Sequence, residues 1–352
     1  MRIEENKPLA PFTTLGIGGP ARWFGSAASE EDVAEAAAWA GERRLPLFVL
    51  GGGSNVLISD AGFKGLVLLV TLRGIQSCDI GATRLYRVAA GEVWDDCVQR
   101  AVEDDCAGIE CLAGIPGTVG GTPVQNVGAY SQEVSSSIER VRAFDLHHRK
   151  FVEFAASECG FAYRRSRFNT TDRGRYIVTR VDYRLFPHAA PTLRYSDLQN
   201  AFPAGTKPTL PDVAAAVRRI RQAKGMLLVG GDPDCRSAGS FFKNPVVTSE
   251  QVQHIAAIAG KAPPSFPAGT GGTGQVKVPA AWLIEHAGFS KGYPLGAAAI
   301  SSRHTLALVN LGGASAAEIL HLADQIRSAV QSRFAIRLDM EPEMIGFGTD
   351  PV

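Results

Sequence analysis

The chain has 352 residues, which at about 150 residues per domain predicts two or three domains. Its 36 basic and 35 acidic side chains give a net charge of +1, so no general electrostatic attraction holds nucleic acid. A hydrophobic content of 45% and a charged content of 20% are typical of a folded globular chain and exclude extended disorder.

The cysteines and the N-terminal residues indicate the cellular location of the protein. No cysteine belongs to a C-x-x-C pair or has histidines at zinc spacing, so we expect reduced thiols and no metal site. Residues 1–12 are charged where a signal peptide needs an apolar core, and the apolar run 66–72 is too short for a membrane span of about 20 residues. We therefore expect a cytoplasmic protein without membrane attachment. The six cysteines are Cys78, Cys97, Cys106, Cys111, Cys159 and Cys235.

The first predicted elements surround a glycine loop. Residues 29–44 predict a helix, because Ser29 can cap it and apolar residues recur at helical spacing up to Gly41. A short buried strand at 46–50 runs into the loop 51–55, and another strand follows near 66–71. This order of strand, glycine loop and strand differs from the strand, loop and long helix of the dinucleotide-binding fingerprint.

The rest of the chain mixes both kinds of element, which indicates an α+β or mixed α/β fold. Residues 260–279 are rich in proline and glycine and predict an exposed insertion. Alternation predicts strands at 138–146, with a turn at 147–150, and at 176–186. Helical periodicity predicts helices at 93–106, 211–224, 248–259, 280–287 and 315–334.

Three glycine clusters are candidate phosphate-binding loops. The cluster 51–55 leaves a buried strand and offers successive backbone N–H groups that can cradle a pyrophosphate, although a tight turn explains it equally well. The cluster 114–130 places four glycines within eight residues, an entropic cost that suggests close approach of another group. The G-x-G-x-x-G match at 269–274 follows prolines, so we interpret it as a plain loop. No Walker A loop occurs, which argues against a nucleotide hydrolase.

Three further segments carry side chains suited to chemistry. The segment 237–245, SAGSFFKNP, places Ser240 before two phenylalanines, which is also how a strand with core side chains begins. Arg164 lies in YRRS, where an ordinary surface ion pair is the alternative. Glu343 lies in the C-terminal EPE, where a solvated strand edge is the alternative.

These segments occur together in a characteristic order. LGGGSNVLISD, GIPGTVGGTPVQNVGAY, AGSFFKNP and EPEMIGFG follow one another along the chain, with PFTTLGIGGPARWF, YRRS, YSDL, RQAK and VKVPAAWLIEHAGF between them. The ordered series closely resembles the UDP-N-acetylenolpyruvoylglucosamine reductases, the MurB family, over nearly the whole chain. Within that family LRYSDL resembles the type whose substrate loop carries a tyrosine.

The resemblance implies a fold and an activity. The fold would be α+β, a vanillyl-alcohol-oxidase-like (PCMH-type) FAD-binding fold in two subdomains plus an α/β substrate-binding domain. The domains would be 1–72 joined by 338–352, then 73–222, then 223–337. The activity would be the FAD-dependent, NADPH-driven reduction of UDP-N-acetylglucosamine enolpyruvate to UDP-N-acetylmuramate in peptidoglycan precursor synthesis. We expect a monomer.

The resemblance also implies roles for individual residues. Ser240 would protonate the substrate, Arg164 would bind its carboxylate and Glu343 would donate a hydrogen bond. Tyr195, Lys224, Asn244 and Tyr130 would contact the substrate. The FAD-binding residues would be Gly51, Gly52, Gly53, Ser54, Asn55, Gly114, Pro116, Gly117, Thr118, Gly121, Asn126, Gly128 and Arg221.

Two alternatives stay open at this point. Another FAD-dependent oxidoreductase of the same superfamily would keep the glycine loops but would not need AGSFFKNP, YRRS and Tyr195 together. A nucleotide-binding module without turnover would bind FAD and leave Ser240 unused.

Overall fold

The structure, a computed structural model, describes residues 1–203, 205–267 and 274–348. Its elements form three units in chain order, and the last strand returns to the first unit. The helices are α1 (Glu30–Glu42), α2 (Trp94–Glu103), α3 (Ser196–Gln199), α4 (Leu210–Ala223), α5 (Ser249–Ala259), α6 (Ala280–His286) and α7 (Ala316–Phe334).

The strands are numbered in chain order through all three units. The first ten are β1 (Ile3–Pro8), β2 (Pro20–Ala27), β3 (Leu47–Leu50), β4 (Val56–Ile58), β5 (Phe63–Val70), β6 (Ile75–Ile80), β7 (Thr83–Ala89), β8 (Cys106–Ala107), β9 (Gly128–Ala129) and β10 (Gln132–Glu133). The others are β11 (Ile138–Asp145), β12 (Lys150–Ala155), β13 (Tyr176–Pro187), β14 (Ser237–Ser240), β15 (Val246–Thr248), β16 (Phe266–Pro267), β17 (Gln275–Lys277), β18 (Pro294–Leu295), β19 (Ala298–Ile300), β20 (Ala307–Asn310) and β21 (Glu343–Ile345).

The first unit is a sheet of four strands in the order β1-β2-β5-β3, in which β5 lies parallel to both β2 and β3. Helix α1 begins as its sequence predicts, because the Ser29 hydroxyl accepts from the Asp32 N–H and Asp32 accepts in return. Strand β21 lies parallel to β4, so residues near the C-terminus stand beside the loop that follows β3.

The second unit is a larger antiparallel sheet in the order β12-β11-β13-β7-β6, with β8 also paired to β13. Helices α2 and α4 cover it, and buried side chains from both, such as Trp94 and Val217, join one large core. Burial of each such side chain contributes roughly 1.5–3 kcal/mol. Residues 119–121 of the loop 114–130 contact strands β13 and β7 of this sheet, and the Gly120 N–H donates to the Ala90 carbonyl at 2.8 Å.

The third unit has the sheet β14-β20-β19-β18 and the small sheet β15-β17-β16. The helical periodicity of residues 315–334 corresponds to the buried face of α7, where four apolar side chains are fully buried: Ile319, Leu322, Ile326 and Val330. Leu57 of the first unit also enters this core, which ties the two units together.

The structure corrects some sequence predictions. The interval 260–279 contains strands β16 and β17 and is not wholly loop, because β17 pairs with both β15 and β16. Gly269 and Gly271 of the G-x-G-x-x-G match lie outside the described residues. Helix α2 ends at Glu103, three residues before the predicted end, because Asp105 turns the chain with φ +52°.

Several absences can be stated for residues 1–203, 205–267 and 274–348. No helix there combines the length and apolar content needed to cross a bilayer. No group of three or more histidine, cysteine or acidic side chains is placed to hold a metal ion. All six cysteines lie in these ranges as free thiols, and Cys78 alone is exposed.

Candidate active site

The two glycine loops, 51–55 and 114–130, are in direct contact. The Ser54 hydroxyl donates to the Pro116 carbonyl at 3.1 Å, and Asn55 Nδ2 donates to Gln125 Oε1 at 2.7 Å. A Cβ at Gly52 would lie 2.6 Å from the Cα of Gly117, which leaves no room for any side chain. The absence of side chains therefore lets the first loop pack against the second.

The first loop also presents unpaired donors. In the described part of the chain, no acceptor pairs with the backbone N–H groups of Gly52, Gly53, Ser54 and Asn55. Gly53 has φ +61°, a conformation in which successive N–H groups can converge on an anion. Four free N–H groups in a row are the donor set that a pyrophosphate needs.

A cleft of about 170 Å³ lies between the first two units and is bordered by both loops. Apolar side chains of β3 and β5, including Phe48 and Phe63, form one wall, and Phe168 and Tyr176 contribute to the other. Gly51, Thr118, Gly120 and Gly121 border it from the loops. An apolar slot that borders the first glycine loop at Gly51, next to its free N–H donors, suits a flat aromatic ring system joined to phosphates.

Arg164 occupies a strained turn, and its carbonyl accepts from Nδ2 of Asn169, a residue that borders the cleft. The φ of Arg164 is +55°, and Ala162 and Arg165 pair across the turn with two backbone hydrogen bonds. The Arg164 Nε lies 2.7 Å from Oε1 of Glu341, but the angle is outside that of a hydrogen bond, so this buried atom has no hydrogen-bond partner. Burial lowers the pKa of the Arg164 guanidinium, but Glu341, Tyr163 and Glu133 together raise it further, so the net pKa is raised. The arginine therefore stays charged and incompletely satisfied.

Ser240 follows a bulge at the end of β14. The register of β14 against β20 shifts between Ser237 and Ser240, and Gly239 between them has φ +70°. Such a bulge re-aims the next side chain. The Phe241 carbonyl accepts from the Glu341 N–H at 2.9 Å, so the serine strand lies beside the residue that contacts Arg164.

Glu343 lies on the wall of the cleft and is held by both neighbouring segments. Its N–H donates to the Asn55 carbonyl at 2.9 Å, and its carboxylate accepts from Arg173 at 3.0 Å. Because Asn55 Nδ2 also approaches the Glu341 carbonyl at 3.3 Å, the EPE segment is tied directly to the first glycine loop. Glu343 thus borders the cleft, and Arg164 and the strand of Ser240 are connected to the same segment through Glu341.

A second group of predicted residues forms a polar and aromatic cluster. The rings of Tyr130 and Tyr195 meet edge to face at 5.3 Å. Lys224 lies 5.8 Å from the Tyr195 ring and donates to Asp197 at 2.7 Å. Burial lowers the pKa of Lys224, but the hydrogen bond to Asp197 and nearby groups raise it further, so the ammonium stays charged.

Arg221 belongs to the same cluster. It donates to the carbonyls of Gly114 at 3.0 Å and Met226 at 2.6 Å, and it interacts with the Tyr130 hydroxyl. Burial lowers the pKa of Arg221, the expected effect for a cation without a carboxylate partner. A buried arginine bonded only to neutral groups retains positive potential for a ligand.

Comparison with known proteins agrees with this arrangement. Residues 24–147 match the FAD binding domain family, and residues 232–345 match the family described as UDP-N-acetylenolpyruvoylglucosamine reductase, C-terminal domain. The UDP-N-acetylenolpyruvoylglucosamine reductase of Thermobifida fusca is 43% identical over 351 residues, covering 97% of each chain. That of Streptomyces coelicolor is 44% identical over 349 residues, covering 96% of this chain and 89% of the relative.

The chain belongs to the UDP-N-acetylenolpyruvoylglucosamine reductase family. The solved structure of that reductase from Thermus caldophilus covers 98% of this chain and 99% of its own, with a TM-score of 0.68 and 28% identity. The predicted FAD-binding fold is confirmed. The chain is an oxidoreductase of peptidoglycan synthesis that uses FAD and NADPH.

The residues of the cleft fit FAD. The free N–H groups of the first glycine loop match its pyrophosphate, and the apolar walls match its ring system. Gly121 borders the cleft, and a Cβ built on it would meet no atom of the protein within 4 Å. The open space at Gly121 and the apolar walls are therefore compatible with a bound flavin.

Some predicted residues have their side chains engaged by the protein itself. Asn126 is 1% exposed and bonds to Glu133, to the Ala162 carbonyl and to the Ser135 N–H. Asn244 accepts from the Ala280 N–H at the start of α6, which leaves its amide nitrogen for a ligand. Gly128 lies in β9, where a Cβ would meet Glu133 at 2.7 Å.

Sequence reasoning missed Glu341, Arg173 and Gln125. Glu341 had the strongest available signal, because it lies in the same EPE segment as Glu343, just before strand β21. Arg173 and Gln125 carry no local signal, since their partners are 170 and 70 residues away.

Proposed function

We propose that the chain converts UDP-N-acetylglucosamine enolpyruvate to UDP-N-acetylmuramate, with NADPH as electron donor. The observation that carries the proposal is the buried, charged and incompletely hydrogen-bonded Arg164, joined through Glu341 and Phe241 to the strand of Ser240. Hydride transfer is the chemistry that FAD supplies when bound, first from NADPH and then to the enolpyruvyl methylene carbon. The protein must then stabilise the negative charge that hydride addition leaves on the substrate and supply the proton that completes the reduction.

Arg164 is the residue that binds the substrate carboxylate. Hydride addition leaves negative charge on the carbon next to the carboxylate, and preorganised positive charge stabilises that charge in the transition state. Glu341 contacts the guanidinium at Nε, so the two terminal nitrogens remain for a bidentate pair with the substrate. We assign to Glu341 the role of orienting the Arg164 side chain.

Ser240 delivers the proton that completes the reduction. A carbanion next to a carboxylate is basic enough for a serine hydroxyl to act as general acid. Glu343 borders the cleft and would donate a hydrogen bond to the same charge, which requires that it exchange its contact with Arg173. Ser240 regains its proton from solvent before the next turnover.

The polar and aromatic cluster of Tyr130, Tyr195 and Lys224 binds the rest of the substrate. Lys224 supplies charge to the diphosphate, Tyr195 and Tyr130 cover it, and the amide nitrogen of Asn244 is a further donor. The N–H groups of residues 52–55 hold the FAD pyrophosphate, and Arg221 contacts the flavin side of the cofactor.

The experiment that tests this function compares the protein with its Ser240→Ala variant. Both proteins are reduced anaerobically with NADPH and then mixed with the enolpyruvyl nucleotide, and reoxidation is followed by absorbance. We expect unchanged reduction in the variant and reoxidation slower by about 10²–10⁴-fold. Reoxidation at the same rate in both proteins contradicts the assignment of Ser240.

We further propose domains at 1–72 with 338–352, 73–222 and 223–337. The pairing of β21 with β4 supports the return of the C-terminus to the first domain. We also propose that the protein is a monomer and that it works in the cytoplasm. The six free thiols support the cytoplasmic location, because oxidising compartments favour disulfides. Light scattering after gel filtration tests the monomer, and a mass of twice 37.4 kDa contradicts it.

A further inference from the structure

Glu110 is a fully buried carboxylate that the mechanism does not use. Its two oxygens accept from backbone N–H groups, Oε2 from Gly108 at 2.7 Å and Oε1 from Thr192 at 2.8 Å. Among the residues that the structure describes, no basic side chain forms an ion pair with it. Burying a carboxylate is costly, so this one is retained for the hydrogen bonds it accepts.

The Thr192 contact joins segments that are 82 residues apart in the chain. Thr192 lies between β13 and α3, three residues before Tyr195. The Thr192 carbonyl accepts from the Cys111 thiol at 3.2 Å. Glu110 and Cys111 are adjacent in one short turn, and together they bind the N–H and the carbonyl of Thr192. The chain that leads to Tyr195, called here its stem, is therefore held at Thr192.

The same turn also holds the segment of Tyr130. The Cys111 N–H donates to Oε1 of Gln132, which is buried two residues after Tyr130. Glu110 and Cys111 thus connect the two segments whose tyrosine rings meet at 5.3 Å. Displacement of either segment would separate the rings.

We infer that Glu110 is a positioning residue for substrate binding, acting through Thr192 to hold Tyr195 against Tyr130. The inference rests on the proposed function, because it takes Tyr195 as a substrate contact. A charged acceptor makes a hydrogen bond about twice as strong as a neutral one, so a carboxylate fixes the stem more firmly than an amide would. The FAD cleft borders neither Glu110 nor Thr192, and flavin reduction should not depend on them.

The test is Glu110→Gln, which keeps the shape but turns an amide nitrogen toward one N–H donor. We expect KM for the enolpyruvyl nucleotide to rise about tenfold, the equivalent of one charge-assisted hydrogen bond. The flavin spectrum and the rate of bleaching by NADPH should stay within about twofold of wild type. Thr192→Ala is the matched control, because it keeps the N–H and carbonyl and should leave KM unchanged.

A double variant separates positioning from general destabilisation. If Glu110 acts through Tyr195, then Glu110→Gln in a Tyr195→Ala background adds nothing to KM. The inference is overturned if Glu110→Gln raises KM by the same factor with Tyr195 and with Tyr195→Ala. It is also overturned if the variant slows flavin reduction and flavin reoxidation equally. An unchanged KM in Glu110→Gln overturns it as well.

Hydrogen exchange of the wild-type protein gives a second test that needs no folded variant. The Thr192 amide should exchange as slowly as a buried strand amide, although it lies in a connecting segment. Exchange at the rate of an open loop overturns the inference. A wild-type protein that is never reoxidised by the enolpyruvyl nucleotide instead overturns the proposed function, which the exchange experiment does not probe.

Discussion

Gly121→Ala tests whether the cleft between the first two units holds FAD. A Cβ built on Gly121 meets no protein atom within 4 Å, and the residue does not have a positive φ. The protein without cofactor therefore accepts alanine at this position without strain. A ligand that fills the cleft would compete with the added methyl group, because Gly121 borders that space.

The expected magnitudes follow from this geometry. Apoprotein stability should stay unchanged or rise by about 0.4–1 kcal/mol, since alanine restricts the unfolded chain more than glycine does. An extra methyl group in a filled site costs about 1–3 kcal/mol. The dissociation constant of FAD should therefore rise about 5- to 150-fold, because each 1.4 kcal/mol corresponds to tenfold.

Gly52→Ala is the matched control. Its Cβ would lie 2.6 Å from Cα and 2.9 Å from the carbonyl carbon of Gly117, both backbone atoms that cannot swing away. This variant should therefore lose about 1–3 kcal/mol of apoprotein stability before any FAD is added. The contrast between the two glycines separates loss of ligand space from loss of loop packing.

The assay combines two measurements on each variant. Urea unfolding without FAD gives apoprotein stability, and quenching of flavin fluorescence during titration gives the dissociation constant. Wild-type FAD affinity in Gly121→Ala would refute the placement of FAD in this cleft. A loss of apoprotein stability in Gly121→Ala equal to that in Gly52→Ala would refute the steric argument.

Three further predictions concern single side chains. Ser240→Ala should keep the flavin spectrum and its bleaching by NADPH while reoxidation by the enolpyruvyl nucleotide slows about 10²–10⁴-fold, as stopped-flow absorbance will show. Lys224→Met should raise KM for that nucleotide about tenfold or more in steady-state assays, because an ammonium is lost from the site; an unchanged KM contradicts its role. Burial, together with Lys224 and Lys291, lowers the pKa of His304 from 6.5 to about 4, so its contribution to stability is lost as the pH falls below about 6.5. His304→Gln should therefore lose about 2.5 kcal/mol less stability than wild type between pH 7.5 and pH 4.5, and equal losses in urea unfolding contradict the burial argument.

Local chemistry explains which elements the sequence predicts well. Helices α1, α5 and α7 begin within one residue of prediction, because Ser29, Thr248 and Ser315 each form a capping box with a residue three positions on. Strand β4 was not predicted, since it has three residues and its partner β21 lies near the other end of the chain. Pairing over such a distance leaves no local pattern.

The same distinction applies to the site. The glycine loops could be identified from the sequence because glycine is needed wherever backbones approach closely, as at Gly52 and Gly117. The partner of Arg164 could not be identified, because Glu341 lies far from it in the chain and is held near it by a backbone hydrogen bond to Phe241. The anchor at Glu110 was missed too, since nothing in its sequence neighbourhood points to Thr192.

The most direct test of the central claim is the visible absorbance spectrum of the purified protein under anaerobic conditions. We predict flavin bands that bleach on addition of NADPH and return when the enolpyruvyl sugar nucleotide is added. This single titration covers cofactor, electron donor and substrate. A colourless protein that does not take up added FAD, or a bleached flavin that the nucleotide fails to reoxidise, would contradict the account.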